Sequence, residues 1–370
     1  MIKVAFVAPS LNGGGAERAA LTVLNALDDR SYARALYLFR QEGPYLRDVS
    51  ASVKVVAAHG DRRIERIRQL AAFMGWWRPH IVVSFLSYVS VFAALRLARS
   101  RARFVISQQT PVSAFLADRD YRWRSPVRRR LFEMVVRRVY PRAAIIVSSR
   151  GVGEDLIERF GVPPNVIATI PNPVDLDAIT HAASEPAELQ RDDATPLIVS
   201  AGRLAEAKNW PLLIAALARL RTERPFRAVI LGQGELEGDI RRRLAEAGLE
   251  TAVRLCGFQA NPWKYMARAD VFVLTSRYEG FGNVLVEAMA CGAPVVATAS
   301  PGTCDIVSHE VNGLLVEQHD PAAVAAALAR VLDDGRLRGQ LREGGRTAAL
   351  RYGVGTIAGS YDRFFQQLVA

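Results

Sequence analysis

The 370-residue sequence has few of the residues that build disulfide frameworks and zinc sites. Its three cysteines form no Cys-x-x-Cys pair, and its five histidines lack the spacing of metal ligands. We therefore expect reduced thiols and no zinc centre. The longest apolar stretch, residues 81–98, is interrupted by three serines and Arg96. This favours a buried strand followed by a helix over a membrane span.

The opening residues lack the features of a secretion leader. Residues 2–8 are a short apolar run with no basic segment before it and no small-residue cleavage site after it. They predict a first strand, and we expect a cytoplasmic protein. Half of the residues are hydrophobic, which is enough for two α/β domains with separate cores.

Acidic residues are scarce in the first half of the chain. Residues 1–180 contain 27 Lys and Arg against 15 Asp and Glu, so the whole net charge of +11 lies there. Between residues 119 and 142, nine arginines alternate with large apolar side chains and only two acids. Such a segment suits an anionic membrane surface, and a solvated arginine face or nucleic-acid binding are the alternatives. Because no nucleic-acid-binding module accompanies the charge, we expect no nucleic acid and a peripheral position on the inner face of the cytoplasmic membrane.

Short apolar runs alternate with helical patterns along the whole chain, which is typical of parallel sheets built from βαβ units. Strands are predicted near residues 3–8, 36–39, 53–57, 81–85, 104–107, 145–148 and 167–170, and again near 197–201, 228–231, 253–256, 271–274, 294–297 and 313–316. We predict an α/β fold with two Rossmann-like, doubly wound domains at residues 1–175 and 196–352. Residues 176–195 are expected to form a linker, and residues 353–370 a C-terminal helix that crosses back to the first domain.

A glycine-rich turn, residues 12–18, follows the first predicted strand. Glycine lets the backbone approach a ligand, and a helix N-terminus offers unpaired N–H groups to an anion. The turn lacks the spacing of a dinucleotide fingerprint and the Lys-Ser/Thr of a P-loop. It therefore indicates either a ligand contact at Gly14 or Gly15 or a tight connection with no ligand.

A second turn, residues 202–211, follows the first strand of the second domain and carries Arg203 and Lys208 just before a predicted helix. Asn209 can cap that helix. An arginine supplies a forked set of donors and a lysine a point charge, a combination that suits the oxygens of a diphosphate. The alternative is that both side chains decorate a surface loop.

The third turn, residues 279–287, is the most specific. Gly282 and Asn283 open a helix after a buried strand, and Glu279 and Glu287 flank its start. Carboxylates beside a diphosphate would repel it, so we interpret Glu279 as binding the hydroxyls of a sugar and Glu287 those of a ribose. A general acid/base pair is the competing functional interpretation.

These turns resemble glycosyltransferase family 4, whose members are retaining enzymes of the GT-B fold. The resemblance includes Pro-Asn-Pro-Val-Asp at residues 171–175 and Glu-Ala-Met-Ala-Cys-Gly-Ala-Pro-Val-Val-Ala at residues 287–297, and it spans nearly the whole chain. It implies two domains facing each other across a cleft. It also implies transfer of an N-acetylhexosamine or hexose from a UDP-sugar to a lipid-linked or polysaccharide acceptor.

By position, the resemblance implies that Arg203 and Lys208 hold the diphosphate and that Glu279 holds the transferred sugar during catalysis. It implies further contacts to the substrate at Gly14, Gly15, Gln108, Gly232, Phe258, Phe281, Gly282, Asn283, Val284 and Glu287. We expect neither a metal nor a cofactor. Two Asp-x-Asp pairs, at residues 118–120 and 175–177, match metal sites in spacing alone.

One departure from the family concerns the end of the fifth predicted strand. Many relatives have a histidine there, near the transferred sugar, whereas this chain has Gln108 and Gln109. A glutamine can hydrogen-bond to a sugar hydroxyl but cannot take a proton. Two other functions share the architecture, a sugar-nucleotide 2-epimerase and a non-catalytic nucleotide-binding scaffold, and the retained charged residues argue against the scaffold.

Overall fold

The computed structural model describes residues 1–12, 14–86, 88–117, 125–188 and 195–370. This part of the chain forms two compact units. The first consists of Met1–Pro173 and Val354–Ala370, and the second of Val174–Gly353. Among the described residues, no helix has both the length and the apolar composition of a membrane span.

The first unit is built on a parallel sheet. Its strands are β1 (Ile2–Ala8), β2 (Tyr32–Leu38), β3 (Lys54–Ala57), β4 (Ile81–Phe85), β5 (Arg103–Gln108), β6 (Ala144–Val147) and β7 (Ile167–Thr169). Its helices are α1 (Gly15–Ala26), α2 (Arg63–Trp77), α3 (Tyr88–Leu97), α4 (Val112–Ala117), α5 (Pro126–Val139), α6 (Arg150–Phe160) and, at the end of the chain, α15 (Val354–Val369). The strand order β3-β2-β1-β4-β5-β6-β7 reverses between β1 and β4.

The second unit has its own parallel sheet. Its strands are β8 (Leu197–Ala201), β9 (Arg227–Leu231), β10 (Val253–Leu255), β11 (Val271–Leu274), β12 (Val295–Thr298) and β13 (Leu314–Val316). Its helices are α7 (Leu176–Ala183), α8 (Trp210–Glu223), α9 (Glu237–Glu246), α10 (Trp263–Met266), α11 (Asn283–Ala290), α12 (Pro301–Ile306), α13 (Pro321–Asp333) and α14 (Gly335–Ala349). The strand order β10-β9-β8-β11-β12-β13 reverses between β8 and β11. The predicted pair of doubly wound α/β domains is confirmed.

The segment 176–195, which we expected to be a linker, begins with α7. The side chain of Asp175 accepts a hydrogen bond from the amide of Ala178 at 3.0 Å, which starts this helix. Ile179 is 1% exposed and packs in the core of the second unit. The start of the segment is therefore part of the second unit, and residues 189–194 lie outside the described residues.

Strand β2 begins at Tyr32, four residues before its predicted start. Arg34 interrupts the apolar pattern there, yet it is buried, because its guanidinium forms an ion pair with Asp29 and donates to the carbonyl of Leu24 at 2.7 Å. A buried arginine whose charge is paired cannot be recognised as part of a strand from the pattern of hydrophobic residues. The prediction of a shorter strand was wrong for that reason.

Helix α15 completes the core of the first unit. The ring of Phe365 is fully buried, with its centroid 6.4 Å from that of Phe6 and 6.2 Å from that of Tyr32. The hydroxyl of Tyr32 also donates to Asp362 on this helix at 2.6 Å. The last residues of the chain therefore stabilise the sheet that its first residues begin.

We expect Phe365→Ala to lower the free energy of unfolding of the first unit by about 3–5 kcal/mol, because it leaves a cavity against β1. Urea denaturation monitored by hydrogen exchange of β1 peptides measures the loss. Phe364→Ala is the control. Phe364 is a half-buried neighbour on the same helix, so its substitution should lower the free energy of unfolding by clearly less. Equal losses for the two variants would contradict the packing role of Phe365.

Candidate functional site

Two loops of the second unit meet where its strand order reverses. Ligands of open α/β sheets bind at the carboxyl ends of the strands beside such a reversal. The amide of Arg277, in the loop after β11, donates to the carbonyl of Ala207, in the loop after β8, at 2.9 Å. The guanidinium of Arg277 also pairs with Glu206 at 3.0 Å. These contacts join residues 206–209 to residues 275–279.

A second ion pair between these loops joins Lys208 and Glu279. Both side chains are largely buried, at 18% and 13% exposure. Ser276 donates its hydroxyl to the same carboxylate oxygen of Glu279 at 2.6 Å. The structure therefore brings together two residues that the sequence assigned to the diphosphate and to the transferred sugar.

Arg203 lies on the same loop as Lys208 but faces solvent. Its side chain is 70% exposed, and its guanidinium donates to Glu235, in the loop after β9, at 3.0 Å. Each of the two predicted diphosphate ligands thus pairs with a carboxylate of the chain. Among the described residues, Asn209 makes no side-chain capping bond to α8. Asn209 nevertheless occupies the predicted N-cap position, with its backbone in the left-handed region.

The start of α11 is shaped by glycines. Gly282 precedes the helix with a φ of 97°, in the left-handed region that favours glycine. The amide of Gly302 donates to the carbonyl of Glu279 at 3.1 Å, and a Cβ at Gly302 would crowd that oxygen. The ring of Phe281 is 3% exposed and packs on Tyr352, so only the backbone of Phe281 can line the site.

Glu287 lies about one turn inside α11 and is 8% exposed. The indole N–H of Trp263, at the start of α10, donates to its Oε2 at 3.1 Å. Trp263 could not be predicted as a contact of Glu287, because it lies 24 residues away on a four-residue helix with no periodic pattern. The Asn-Pro preceding it is the only local sign of a turn here.

Two other predicted donor contacts have different surroundings. Gly232 has a φ of 141°, and a Cβ there would overlap the carbonyl oxygen of Gly202. A glycine is therefore needed for the close packing of two loops, whether or not a ligand approaches. Phe258, by contrast, is 62% exposed, so its ring can meet a base.

In the first unit, the expected glycine contact adjoins a carboxylate of the chain. The amide of Gly14 donates to Oε2 of Glu17 at 2.6 Å, which satisfies one of the N–H groups at the start of α1. Gly15 is the first residue of that helix, and Gly13 lies outside the described residues. An anion at Gly14 would have to compete with Glu17.

Both polar atoms of the side-chain amide of Gln108 are hydrogen-bonded within the chain. Its Nε2 donates to the carbonyl of Thr110 at 2.6 Å, and its Oε1 accepts from the hydroxyl of Tyr140 at 2.7 Å. Burial raises the pKa of Tyr140 well above its ordinary value, so this hydroxyl remains a donor. Within the described residues, Oε1 of the buried Gln109 has no hydrogen-bond partner. A sugar contact at Gln108 would require these bonds to exchange.

At the Asp-x-Asp pair of residues 175–177, the side chain of Asp175 accepts a hydrogen bond from the amide of Ala178 and caps α7. The other pair, Asp118 and Asp120, lies outside the described residues. In the part of the chain that the structure describes, no three His, Cys, Asp or Glu side chains are grouped as metal ligands.

Helix α5 exposes an apolar row at a spacing of i, i+4 and i+7, formed by Val127, Leu131 and Met134. These side chains are 65%, 52% and 50% exposed. Exposed arginines lie beside them at positions 128, 129, 130 and 138. We call the three apolar residues and these four arginines together the α5 surface. Arg137 instead donates to the carbonyl of Arg159 at 2.8 Å, and residues 119–124 lie outside the described residues.

Comparison with protein families matches both halves of the chain. Residues 182–348 match the model described as glycosyl transferases group 1. Residues 13–178 match the model described as glycosyltransferase family 4.

Among characterised proteins, the chain is similar to the N-acetylgalactosamine-N,N'-diacetylbacillosaminyl-diphospho-undecaprenol 4-alpha-N-acetylgalactosaminyltransferase of Campylobacter jejuni. The two are 32% identical over 295 residues, which cover 79% of this chain and 77% of that protein. The chain is also 25% identical to the lipopolysaccharide core biosynthesis glycosyltransferase LpsE of Rhizobium meliloti, over 95% of this chain and 92% of that protein.

Solved structures share the fold. The Anabaena protein HepE in complex with UDP superposes with a TM-score of 0.81 at 21% identity, over 99% of this chain and all of that one. WaaG, a glycosyltransferase involved in lipopolysaccharide biosynthesis, gives a TM-score of 0.77 at 17% identity, over 98% of this chain and 99% of that one.

We expect Lys208→Met to lower the free energy of unfolding of the ligand-free protein by about 1–3 kcal/mol, because Glu279 loses its partner while remaining largely buried. The double variant Lys208→Met with Glu279→Gln should be more stable than Lys208→Met alone, since no unpaired charge remains. Urea denaturation of the four proteins of this cycle measures the coupling. Strictly additive losses would show that the ion pair does not form in solution.

Proposed function

The chain belongs to glycosyltransferase family 4 and transfers sugar from a nucleotide sugar, and from this premise we propose its donor, mechanism and acceptor. The donor is a UDP-sugar, carrying an N-acetylhexosamine or a hexose. Transfer retains the configuration of the anomeric carbon. The acceptor is lipid-linked or a polysaccharide, and the enzyme collects it at an anionic membrane surface.

The observation that carries the proposal is the ion pair of Lys208 and Glu279 where β8 and β11 lie side by side. A diphosphate bound there would take over the ammonium of Lys208 and the guanidinium of Arg203 from their carboxylate partners. Glu279 would then accept hydrogen bonds from sugar hydroxyls, and the N-terminus of α11 would face the phosphate oxygens.

The proposed mechanism needs no protein nucleophile. Lys208, Arg203 and the N-terminus of α11 stabilise the negative charge that develops on the leaving diphosphate. The leaving phosphate oxygen takes the proton of the acceptor hydroxyl on the same face of the sugar, so the new bond keeps the anomeric configuration. Because cations of the chain already neutralise the diphosphate, the proposal includes no metal ion.

Support for the acceptor comes from the relatives and from charge. The name of the Campylobacter jejuni relative describes alpha-N-acetylgalactosaminyl transfer to a diphospho-undecaprenol-linked acceptor. The name of the Rhizobium meliloti relative refers to the lipopolysaccharide core. The whole charge excess lies in residues 1–180, and the α5 surface combines exposed apolar side chains with arginines. This combination suits anionic lipid headgroups.

A panel of nucleotide sugars tests the donor, with donor hydrolysis and transfer followed by mass spectrometry. We expect UDP-sugars to be consumed in the presence of EDTA and the product to show the donor's anomeric configuration by NMR coupling constants. Glu279→Gln should lower the rate by about a hundredfold or more, because it removes a charged contact to the reacting sugar. Glu237→Gln, on the exposed surface of α9, is the matched control.

The donor, the metal-free mechanism and retention would each be contradicted by a different result. Consumption of ADP- or GDP-sugars in place of UDP-sugars would overturn the donor. Activity that disappears in EDTA and returns with magnesium or manganese would overturn the metal-free mechanism. An inverted product would overturn retention.

We expect replacement of Arg128, Arg129 and Arg130 by Gln to weaken binding to liposomes that contain anionic phospholipid by about a hundredfold. Each arginine near such a surface contributes about 1 kcal/mol, so three act together. Sedimentation with liposomes at low salt measures the effect. High salt should weaken wild-type binding in the same way, because it screens exposed charges.

The chain offers a matched control for this experiment. Residues 241–243 are also three consecutive arginines on a helix, and each pairs with a carboxylate of α9, as Arg129 pairs with Glu133 on α5. Their replacement by Gln removes the same charge from the second unit and should leave liposome binding unchanged. Equal weakening by both triple variants would show that total charge, and not the α5 surface, governs binding.

A further inference from the structure

We propose that Trp263 is a positioning residue for the ribose of the donor: its indole N–H holds the carboxylate of Glu287 in the orientation that accepts the ribose hydroxyls. The inference rests on the proposed UDP-sugar donor and on the prediction from the sequence that Glu287 binds its ribose. It adds a residue of α10 to a site otherwise built from the loops after β8 and β11 and from α11.

The carboxylate of Glu287 is held on one side by a fixed donor. The bond from Nε1 of Trp263 to Oε2 of Glu287 is 3.1 Å long, and both residues are 8% exposed. An indole nitrogen can only donate, so the direction of this bond is unambiguous. A hydrogen bond to a charged acceptor is strong in a buried site. It restricts the rotamers of Glu287 before any ligand arrives.

A second contact ties Trp263 to the same face of α11. Cys291, four residues after Glu287, donates its thiol to the carbonyl of Trp263 at a sulfur–oxygen distance of 3.7 Å. Burial, and then the negative charge of Glu287, raise the pKa of this thiol to about 12. The thiol therefore stays protonated and keeps its hydrogen for the bond. Glu287 and Cys291 thus hold the side chain and the backbone of Trp263.

The other side of α10 reaches the loop after β10. The hydroxyl of Tyr265 donates to the side-chain oxygen of Gln259 at 3.3 Å, and the amide of Gln259 donates to the carbonyl of Cys256 at 2.7 Å. This loop carries Phe258, which we expect to meet the base. Helix α10 therefore connects the carboxylate expected at the ribose with the loop expected at the base.

A preorganised Glu287 should matter only for ligands that carry ribose hydroxyls. In 2′,3′-dideoxyuridine diphosphate the base and the diphosphate are unchanged, but the hydroxyls that Glu287 would accept from are absent. Wild-type protein should therefore prefer UDP over this analogue. Loss of the Trp263 bond should reduce that preference, because the contact at Glu287 is weakened while the contacts to base and diphosphate remain.

The test is calorimetric titration of UDP and of the dideoxy analogue into the full-length protein. Trp263→Phe removes the indole N–H and keeps an aromatic ring. We expect its Kd for UDP to rise about tenfold and its Kd for the analogue to change less than twofold. Trp77→Phe is the matched control, because Trp77 is similarly buried, in the first unit. It should keep the wild-type preference.

Glu287→Gln separates the inference from the proposed function. If wild-type protein shows no preference for UDP, or if Glu287→Gln keeps the preference, the ribose role of Glu287 is wrong and the inference falls with it. If Glu287→Gln loses the preference and Trp263→Phe keeps it, the proposed function stands and the positioning role of Trp263 is overturned. In the double variant Trp263→Phe with Glu287→Gln, the preference for UDP over the analogue should equal that of Glu287→Gln alone.

The test can still be carried out if a variant folds only in part or does not fold. Each preparation receives both ligands, so an inactive fraction cancels from the ratio of the two Kd values. If Trp263→Phe does not fold, site-specific incorporation of 3-benzothienylalanine at position 263 replaces the N–H by sulfur in a ring of nearly the same shape. The same loss of ribose preference is expected, and a wild-type ratio in that protein would overturn the proposal.

Discussion

The ion pair of Lys208 and Glu279 spans the reversal of strand order in the second unit, and the candidate site depends on it. Parallel strands that run outward from a reversal bring the loops after β8 and β11 side by side. Opposite charges on those two loops then fix their spacing, with Ser276 as an additional donor. The chain thus provides its own counter-charges at this edge of the sheet, and under the proposed function a diphosphate would bind by exchanging these partners.

Much of the fold could be predicted because each strand is a short apolar run bounded by turn residues. The start of β2 is an exception, because Arg34 interrupts the apolar run there. Its pairing with Asp29 allows it to be buried in the strand. The positions of Lys208 and Glu279 could also be predicted, because both residues follow strands that a pattern can locate. In these cases the signal lies within one strand and the turn after it.

Contacts between distant segments could not be predicted. Trp263 reaches Glu287 across 24 residues, and nothing in the spacing of the two residues indicates it. Similarly, Phe281 looked like a ligand contact from its motif but packs on Tyr352 in the core. Gln108, which the resemblance implies is a contact to the substrate, has its side-chain amide already bound by Tyr140 and Thr110. A motif identifies the backbone of a site, and tertiary packing decides which side chains face the ligand.

Helix α15 has a consequence for how the protein is made. The first unit includes both ends of the chain, whereas the second is the continuous segment Val174–Gly353. During synthesis the first unit emerges from the ribosome first but lacks Tyr361 and Phe365 of its core until the final helix is released. Every residue of the second unit precedes that helix in the sequence. Translation therefore completes the sequence of the second unit before it supplies the last part of the first unit's core, although the first unit begins the chain.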